Sequence, residues 1–463
     1  MKLPELSDAF ALSLREKQRD FGSRHKLFLV ALIFLAALGV RLLNWQGHHN
    51  ESLAVQSSVA LNYKHQARLI QANGLASLYD RSSSTNNPDL LGHPPGYPIL
   101  LSLIYRVGRE SDTATQVMQL ILDSLSVVII TLIAFQLFPA AVGLIAGLLA
   151  AFAPQFSWNS LTLLPDSLAA LPILLAVYLV VRTRYRSDRS SLLSLFAAGA
   201  LIGLSCWLRA NALLLAPFLA SWFLFIRKRG ARLRPALVLT CGVLLIISAI
   251  TIRNALVFGK FIPVSLGAGQ TLIEGIADYN TDGSLGLPQT DMELIRGEAE
   301  TFQRPDYANS LFTPDGPARD RARLARGFAV IRAHPFWFTS VMIRRAASMQ
   351  RLERTPLRLA TDPEARLGLF QWPLGIVQKL FITAVFLPLA LLGAGILFYQ
   401  RHFQTLAILL AVPVYYLCTQ SALHTEYRYV LVIHYFLFVL AAVALYTIAG
   451  RVTRLLRLNK ERG

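Results

Sequence analysis

The stretch "DLLGHPPGYPILL", residues Asp89–Leu101, decides how this chain is arranged across a membrane. It begins with an acid, a histidine, prolines and glycines, and it then becomes an apolar run that continues to Val107. A helix from Pro95 to Val107 would be roughly 20 Å long at 1.5 Å per residue, whereas the hydrocarbon core of a bilayer is about 30 Å thick. We therefore expect the segment to lie on one face of a membrane without crossing it.

The rest of the chain has the composition of a membrane protein. Of its 463 residues, 54% are hydrophobic and 16% are charged, whereas a soluble protein would carry roughly 25% charged residues. We predict an all-α polytopic membrane protein with about ten transmembrane helices, eleven to thirteen being the alternative count. The predicted spans are Leu27–Trp45, Thr113–Leu137, Ala140–Phe156, Leu161–Val181, Leu192–Leu208, Asn211–Ile226, Pro235–Ile252, Leu380–Phe398, Leu406–Gln420 and Val430–Ile448.

The positions of the basic clusters orient these spans. If the Pro95–Val107 segment does not cross, the clusters in residues 182–189, 227–234 and 451–460 fall on the same side as the basic N-terminus. If it does cross, all three clusters fall outside, against the rule that Lys and Arg are retained in the cytoplasm. We therefore predict cytoplasmic termini and a retained first span. The net charge of +18 is explained by these clusters, and no nucleic-acid partner is predicted.

This orientation leaves two large regions on the outer face, where we expect any chemistry to take place. The predicted parts are a cytoplasmic segment (1–26), transmembrane helices with a first outer loop (27–252, loop 46–112), a second outer loop region (253–373), C-terminal transmembrane helices (374–450) and a cytoplasmic basic tail (451–463). The second region has mixed charge and helical character, so we expect it to be folded.

Several cations lie at the outer ends of the predicted spans, where a charge needs a reason. They are Arg209, Arg253, Lys260 and Arg428, the last followed by Tyr429. If they converge, they form a site for an anion, and an anion in a membrane protein suggests a lipid phosphate held by bidentate guanidinium groups. The alternative is that each side chain reaches the headgroups separately.

Carboxylates on the same face could act as a general base. Glu51, Asp80 and Asp89 are the candidates in the first outer loop, with His93 and Tyr97 near Asp89. Asp166 follows a proline at the outer end of a span, and it either caps the next helix or joins the site. The sequence "HHNE" (48–51) lacks the ligand spacing of a metal-binding helix, so neither a metal site nor a cofactor is predicted. Asp123, inside an apolar run, is interpreted as a polar contact between helices.

A series of motifs resembles the bacterial membrane glycosyltransferases of the GT-C type, which are relatives of protein O-mannosyltransferases and of the aminoarabinose transferase that acts on lipid A. The motifs occur in order along most of the chain: "ARLIQANGLASLYD" (67–80), "HPPGYPILLSL" (93–103), "LFPAAVGLIAGLLAAFAPQFSWNSLTLLPDSLAALPILLAVYL" (137–179), "GLSCWLRANALLLAPFL" (203–219), "RNALVFGKFIPVS" (253–265), "GAGQTLIEGI" (267–276), "IRAHPFWF" (331–338) and "EYRYVLVIHYFLFVLAA" (426–442). Each motif is weak alone, and their order makes the resemblance specific.

The resemblance implies an inverting transferase that takes a sugar from a polyprenyl-phosphate donor and passes it to an envelope acceptor (a lipid, a glycan or a protein) on the outer face of a bacterial inner membrane. Its partners would be this lipid-linked sugar, the acceptor and membrane lipids. One departure affects the base. The family has an aspartate shortly before a tyrosine and an alanine, and here Tyr63 and Ala67 are present but Val59 and Ala60 stand where the acid is expected.

Three interpretations of this departure remain open. Glu51 takes the role of the base, or Asp89 does, or the protein is a non-catalytic relative that binds lipid phosphate in envelope polysaccharide assembly. A transporter is a further alternative. The chain has no inverted repeat and no paired spans broken by Gly or Pro, which argues against transport.

Overall fold

The computed structural model describes residues 23–86, 91–183, 189–226, 233–353 and 370–460, and over those ranges the secondary structure is helical, without a strand. The first half contains α1 (Ser23–Ala54), α2 (Ser57–Asn73), α3 (Gly96–Gly108), α4 (Asp112–Leu137), α5 (Ala140–Phe152), α6 (Pro154–Leu161), α7 (Asp166–Thr183), α8 (Arg189–Leu208), α9 (Leu215–Ile226) and α10 (Leu233–Phe258). The second half contains α11 (Ala268–Ala277), α12 (Asp291–Thr301), α13 (Gly316–Ala333), α14 (Pro335–Ser348), α15 (Gln371–Lys379), α16 (Thr383–Tyr399), α17 (Phe403–Gln420) and α18 (Leu431–Lys460).

The helical membrane fold is confirmed, and the count of spans is not. In the described ranges, seven helices are long and apolar enough to cross a membrane, or up to nine if two bent pairs each count as one span. The bent pairs are α5 with α6, at 49°, and α15 with α16, at 61°. The predicted span at 211–226 corresponds to α9 and the short helical turn Ala210–Ala212 before it, and its apolar part, Ala210–Ser221, is shorter than the helices that could cross.

Two predicted boundaries differ from the structure for local reasons. The first helix does not end at Trp45 but continues to Ala54, so Glu51 is helical. The predicted span Leu161–Val181 begins instead at Asp166, because Leu161 ends α6 and Pro165 lies in the turn before α7. Proline has no backbone amide hydrogen to donate inside a helix, so it is favoured in the turn that precedes one.

The apolar part of the stretch 89–101 belongs to the short helix α3, which packs against α2 through one of its faces. Helix α3 has 13 residues and is not among the helices long enough to cross. Its buried face, with Tyr97 and Leu101, packs against Tyr63 and Ala67 of α2. At its start, a side chain on Gly96 would collide with the backbone carbonyl of Trp207, so only glycine allows this approach to the end of α8.

A buried ion pair joins three of the long helices. The Arg41 guanidinium of α1 donates from Nε to Asp123 Oδ2 of α4 at 2.7 Å, and the Tyr435 hydroxyl of α18 lies 3.3 Å from Asp123 Oδ1. All three side chains are almost completely buried. The structure thus places Asp123 in a polar contact between helices, where each charge has an opposite partner.

The second predicted outer region contains its own folded unit, α11–α14, which we call the loop unit. Leu272, Ile273 and Ile276 of α11 form its apolar core together with Leu287 and Phe338. Beside this core, Glu298 of α12 accepts hydrogen bonds from two arginines of α13. The expectation that this region is folded holds for residues 268–348, whereas residues 354–369 lie outside the described ranges.

Candidate functional site

Several of the residues predicted to form the site lie on helices whose ends meet at one end of the helical bundle. Gln116, in the first turns of α4, donates to Ser52 Oγ of α1 and to the carbonyl of Leu161 at the end of α6. Ser205, near the end of α8, donates to the carbonyl of Ala169 near the start of α7. Side chains at the start of α7 and α18 and at the end of α8 can therefore face one another.

A small cleft, whose volume of about 280 Å³ includes open solvent, opens between these ends. We call it the cleft, and its lining residues are Asp166, Ala169, Ala170, Ile173, Arg209, Asn211, Tyr416, Arg428, Tyr429, Leu431 and Val432. One part of this lining is polar and charged and the other is apolar. The chemistry of the cleft therefore suits an amphipathic ligand with an anionic group.

Arg209 is fixed in the cleft by a carboxylate and an aromatic ring. Its Nε and Nη2 atoms each lie 2.7 Å from Asp166 Oδ1, and its guanidinium stands 4.4 Å from the centre of the Tyr429 ring. Asp166 is the first residue of α7, and of the two roles predicted for it, a cap or a site residue, its contacts are those of a partner to Arg209. The other carboxylate oxygen, Oδ2, is buried without a hydrogen-bond partner.

Arg428 lies on the other side of the cleft with unused hydrogen-bond donors. Its side chain is 6% exposed, and Nη2 donates to Glu426 Oε1 at 2.8 Å. Its Nε and Nη1 atoms are buried and have no hydrogen-bond partner. A buried donor without a partner costs free energy, and the cost is larger for a charged group. Arg428 is therefore prepared to donate to a ligand oxygen.

A wall of neutral rings stands beside the two arginines. The Tyr63 ring meets His93 and Tyr97 edge-on, with centroids 5.3 Å and 5.1 Å apart, and the Tyr97 hydroxyl donates to Gln119 Oε1 at 2.6 Å. Burial, together with nearby Arg209, lowers the pKa of His93 to about 4. Burial raises the pKa of Tyr63 to about 12. Both rings are thus uncharged near pH 7, and the charge of the site is carried by its arginines and carboxylates.

Two predicted cations, Arg253 and Lys260, have other surroundings. The predicted residues that come together here are His93, Tyr97, Asp166, Arg209, Arg428 and Tyr429. Arg253 donates to the carbonyl of Leu78, to Asn86 Oδ1 and to the neighbouring Asn254, so it ties residues 78–86 to the end of α10. Among the described residues, none of its hydrogen-bond partners lines the cleft. Lys260 follows α10 and is exposed.

The two predicted bases are placed differently. Glu51 lies in the last turn of α1, its side chain is 60% exposed, and it pairs with His48 at 3.3 Å. The His48 ring meets the Trp158 ring of α6 at 6.0 Å, and Trp158 is within reach of Tyr427, the residue before Arg428. Glu51 therefore belongs to the same end of the bundle as the cleft. Asp89 lies outside the described residues.

Other residues of the site were missed from the sequence. They are Tyr63, Asn211, Tyr416 and Glu426. Glu426 and Asn211 stand two residues from Arg428 and Arg209, so they could have been named as neighbours. Tyr416 sits within an apolar run, and no local pattern indicates that it faces a cleft. In the described ranges, no group of three or more His, Cys, Asp or Glu side chains is close enough together to hold a metal ion.

Comparison with known proteins gives a family match for part of the chain. Residues 92–252 match the family described as dolichyl-phosphate-mannose-protein mannosyltransferase. This range includes α3, Asp166, Arg209 and most of α10. No curated protein sequence matches the chain.

Solved structures give a match over nearly the whole chain. The oligosaccharyltransferase AglB of Archaeoglobus fulgidus, in complex with an inhibitory peptide and a dolichol-phosphate, aligns with a TM-score of 0.54 at 16% identity, over 94% of this chain and 52% of its own. The apo form aligns with a TM-score of 0.53 at 15% identity, over 96% and 52%. ArnT of Cupriavidus metallidurans bound to undecaprenyl phosphate aligns over 83% and 72% at 16% identity, with a TM-score of 0.35.

This chain thus spans about half the length of the archaeal enzymes that it matches. At these identities, the likeness concerns the fold. The predicted resemblance to GT-C membrane glycosyltransferases is confirmed at that level.

Proposed function

We propose that this protein is an inverting glycosyltransferase that moves a sugar from a polyprenyl-phosphate donor to an acceptor hydroxyl. The observation that carries the proposal is Arg428, whose Nε and Nη1 donors are buried without a partner in a cleft that also holds Arg209. A phosphate oxygen would satisfy those donors with charge-assisted hydrogen bonds. The apolar part of the lining, with Ile173 and Leu431, suits the first isoprene units of the lipid.

The two arginines would act on the leaving group. As the bond between the anomeric carbon and the phosphate oxygen breaks, a second negative charge develops on the lipid phosphate. Preorganised cations at that position stabilise the transition state more than the ground state. Asp166 and the Tyr429 ring hold Arg209 in one orientation, so little reorganisation is needed at the moment of reaction.

A carboxylate would accept the proton of the attacking hydroxyl, and a single displacement would invert the anomeric centre. Glu51 and Asp89 are the bases proposed from the sequence. Asp166 is a third candidate, because its Oδ2 atom has no hydrogen-bond partner and its side chain lines the cleft. The binding of Oδ1 to Arg209 also allows Asp166 to act as a positioning residue for that arginine.

We propose the outer face of a bacterial inner membrane as the place of reaction and an envelope lipid, glycan or protein as the acceptor. The basic clusters in residues 182–189, 227–234 and 451–460 support this orientation, because the predicted topology puts them on the side opposite to the two outer loops, and Lys and Arg are retained in the cytoplasm. The polyprenyl phosphate product and the surrounding bilayer are the other partners.

The transfer reaction can be tested on the purified protein in lipid nanodiscs. Radiolabelled undecaprenyl-phosphate sugars are supplied with envelope extracts, and label in the acceptor fraction is measured for wild type and for Glu51→Gln, Asp89→Asn and Asp166→Asn. Loss of transfer in one variant that still binds undecaprenyl phosphate identifies the base. Arg68→Gln is the control, since Arg68 is an exposed arginine of α2 that pairs with Glu110. No transfer by wild type to any acceptor would refute the enzymatic function.

One observation favours a second candidate, a non-catalytic protein that binds lipid phosphate. Asp166 and Glu426, the carboxylates that contact Arg209 and Arg428 among the described residues, are both engaged in ion pairs. The first loop also carries Val59 and Ala60 where the related enzymes have an acid. This candidate predicts tight binding of undecaprenyl phosphate. It also predicts wild-type binding affinity in Glu51→Gln, Asp89→Asn and Asp166→Asn.

A further inference from the structure

Residues 421–426, in the connection between α17 and α18, are held against the loop unit by hydrogen bonds, and we call this set of contacts the grip. The backbone amide of His424 donates to the carbonyl of Thr271 in α11 at 2.7 Å. Gly275, one turn further along α11, packs directly against the backbone of Leu423 and His424, where a side chain would not fit. The loop unit and this connection therefore touch backbone to backbone.

A buried arginine on a second helix of the loop unit adds a further hydrogen bond to this connection. Arg345 of α14 is 3% exposed, and its Nη1 atom donates to the carbonyl of Ser421 at 2.8 Å. Its Nη2 atom donates to the carbonyl of Gly275, and the same atom lies 3.6 Å from Asp278. One guanidinium thus joins α14, the end of α11 and the start of the connection.

An ion pair completes the arrangement. His424 Nδ1 lies 2.9 Å from Asp278 Oδ2, and this carboxylate raises the pKa of His424 above its usual value. Glu274 of α11 and Glu426 also face this histidine, Arg345 of α14 lies 3.6 Å from the same Asp278 oxygen, and Asp291 of α12 interacts with Glu274. These carboxylates favour the protonated form of the imidazole.

The gripped connection leads directly into the cleft. Glu426 is two residues after His424, it accepts from Arg428 Nη2, and its carbonyl accepts from the amide of Tyr429 at 3.0 Å. Thr425 Oγ1 donates to the carbonyl of Gln420 at 2.7 Å, which closes the connection into a compact turn. A displacement of His424 would therefore move Arg428 and Tyr429.

We propose that Asp278, His424 and Arg345 are positioning residues that set the donor site of the cleft. By holding residues 421–426 against the loop unit, they place Arg428 and Tyr429 where the phosphate binds. This inference rests on the proposed function, because the phosphate lipid is the ligand whose affinity reports the position of Arg428. It also assigns the loop unit a role in donor binding in addition to any contact with the acceptor.

The test uses matched aspartates of the loop unit in full-length protein in nanodiscs. Asp278→Ala removes the partner of His424, whereas Asp306→Ala removes an exposed carboxylate paired with Arg304 in the same unit. The dissociation constant for undecaprenyl phosphate is expected to rise about tenfold in Asp278→Ala, in which roughly 1.4 kcal/mol is lost. It is expected to change less than about twofold in Asp306→Ala, since exposed pairs contribute little. Asp278→Asn keeps a hydrogen-bond acceptor and should restore most of the affinity.

A second measurement examines the grip without any ligand. Hydrogen exchange of the peptide 417–430 should be faster in Asp278→Ala than in wild type, because the His424 side chain loses its carboxylate partner and its backbone amide then separates more often from the Thr271 carbonyl. Faster exchange with unchanged affinity would overturn the proposal, as would unchanged exchange. If wild type binds no undecaprenyl phosphate, the proposed function fails, and exchange measured across residues 427–430 still decides whether the grip holds Arg428 in place.

Discussion

Two arginines of this protein, Arg319 in the loop unit and Arg428 in the cleft, are both buried and both paired with glutamate, yet they differ in how many of their donors are used. Arg319 donates from Nε to Glu298 at 2.8 Å, from Nη1 to the carbonyls of Ser310 and Thr313, and from Nη2 to the carbonyl of Tyr307. Arg428 donates from Nη2 alone, and its Nε and Nη1 atoms have no partner.

This difference separates a scaffold contact from a binding site. Buried polar groups in folded proteins are nearly always hydrogen-bonded, so each exception needs an explanation. At Arg319 the fold supplies every partner, and a ligand has nothing to add. At Arg428 the fold buries the charge and leaves donors free beside a cleft, which is the arrangement expected where a ligand completes the hydrogen bonds.

The largest effect that this comparison predicts is on ligand binding by Arg428→Gln. Removing two charge-assisted hydrogen bonds of roughly 2 kcal/mol each should weaken undecaprenyl phosphate binding about 1000-fold. Binding is measured with radiolabelled lipid in nanodiscs. The melting temperature should fall by only a few degrees, because Nε and Nη1 have no partners in the free protein and the lost ion pair with Glu426 is partly exposed. Wild-type affinity in this variant would remove Arg428 from the site.

The reverse pattern is predicted for Arg319→Met. This substitution leaves Glu298 with one arginine fewer in a buried position, which should lower the free energy of unfolding by about 3 kcal/mol. Thermal unfolding of the detergent-solubilised protein measures the loss. The fraction that remains folded should bind undecaprenyl phosphate like wild type, and a selective loss of binding without destabilisation would contradict the scaffold role.

A smaller effect is expected for Tyr97→Phe in the ring wall beside the cleft. The hydroxyl of Tyr97 donates to Gln119 at 2.6 Å, and its removal leaves that amide oxygen without this donor. The expected cost is about 1 kcal/mol of stability. Thermal unfolding of Tyr97→Phe measures it, with Tyr79→Phe as the control at an exposed tyrosine. An unchanged melting temperature would show that this hydrogen bond does not stabilise α3.

A last prediction concerns how the stability of the loop unit depends on pH. Burial, with a contribution from Asp291, raises the pKa of Glu274 from 4.5 to about 7. The folded state therefore binds a proton that the unfolded state releases, so stability should fall as the pH rises from about 4.5 to about 7 and then level off. Glu274→Gln should lack this slope when melting temperatures are compared at pH 5 and pH 7. An equal slope in both proteins would contradict the assignment.

The helical class and the short helix α3 could be derived from the sequence, because hydropathy and segment length are local properties, whereas the orientation of the spans stays a prediction. A 13-residue helix cannot cross a bilayer wherever it packs, and basic clusters orient spans without reference to tertiary contacts. The number of spans could not be derived. Helices α5 and α6 bend by 49° at Ala153–Pro154, and α15 and α16 bend by 61°, and such breaks depend on how the neighbouring helices pack.

The candidate site was only partly accessible from the sequence. Arg209, Arg253 and Arg428 are equivalent in the sequence, since each marks the outer end of a predicted span. Their partners differ: Asp166 and Glu426 for two of them, and Asn86 with the Leu78 carbonyl for Arg253. Asn86 is 167 residues from Arg253 along the chain, so no local pattern could assign this contact.

The sequence by itself determined the class of the fold, the short α3 helix at the bundle end and the set of cations from which a phosphate site could be built, because hydropathy, length and charge are properties of segments. Only the tertiary structure decided which of those cations converge. It also decided that two donors of Arg428 have no partner and that the loop unit holds residues 421–426 through hydrogen bonds. The physical reason is that a guanidinium acts according to the acceptors around it, and these acceptors come from helices that are distant in the chain and close only after folding.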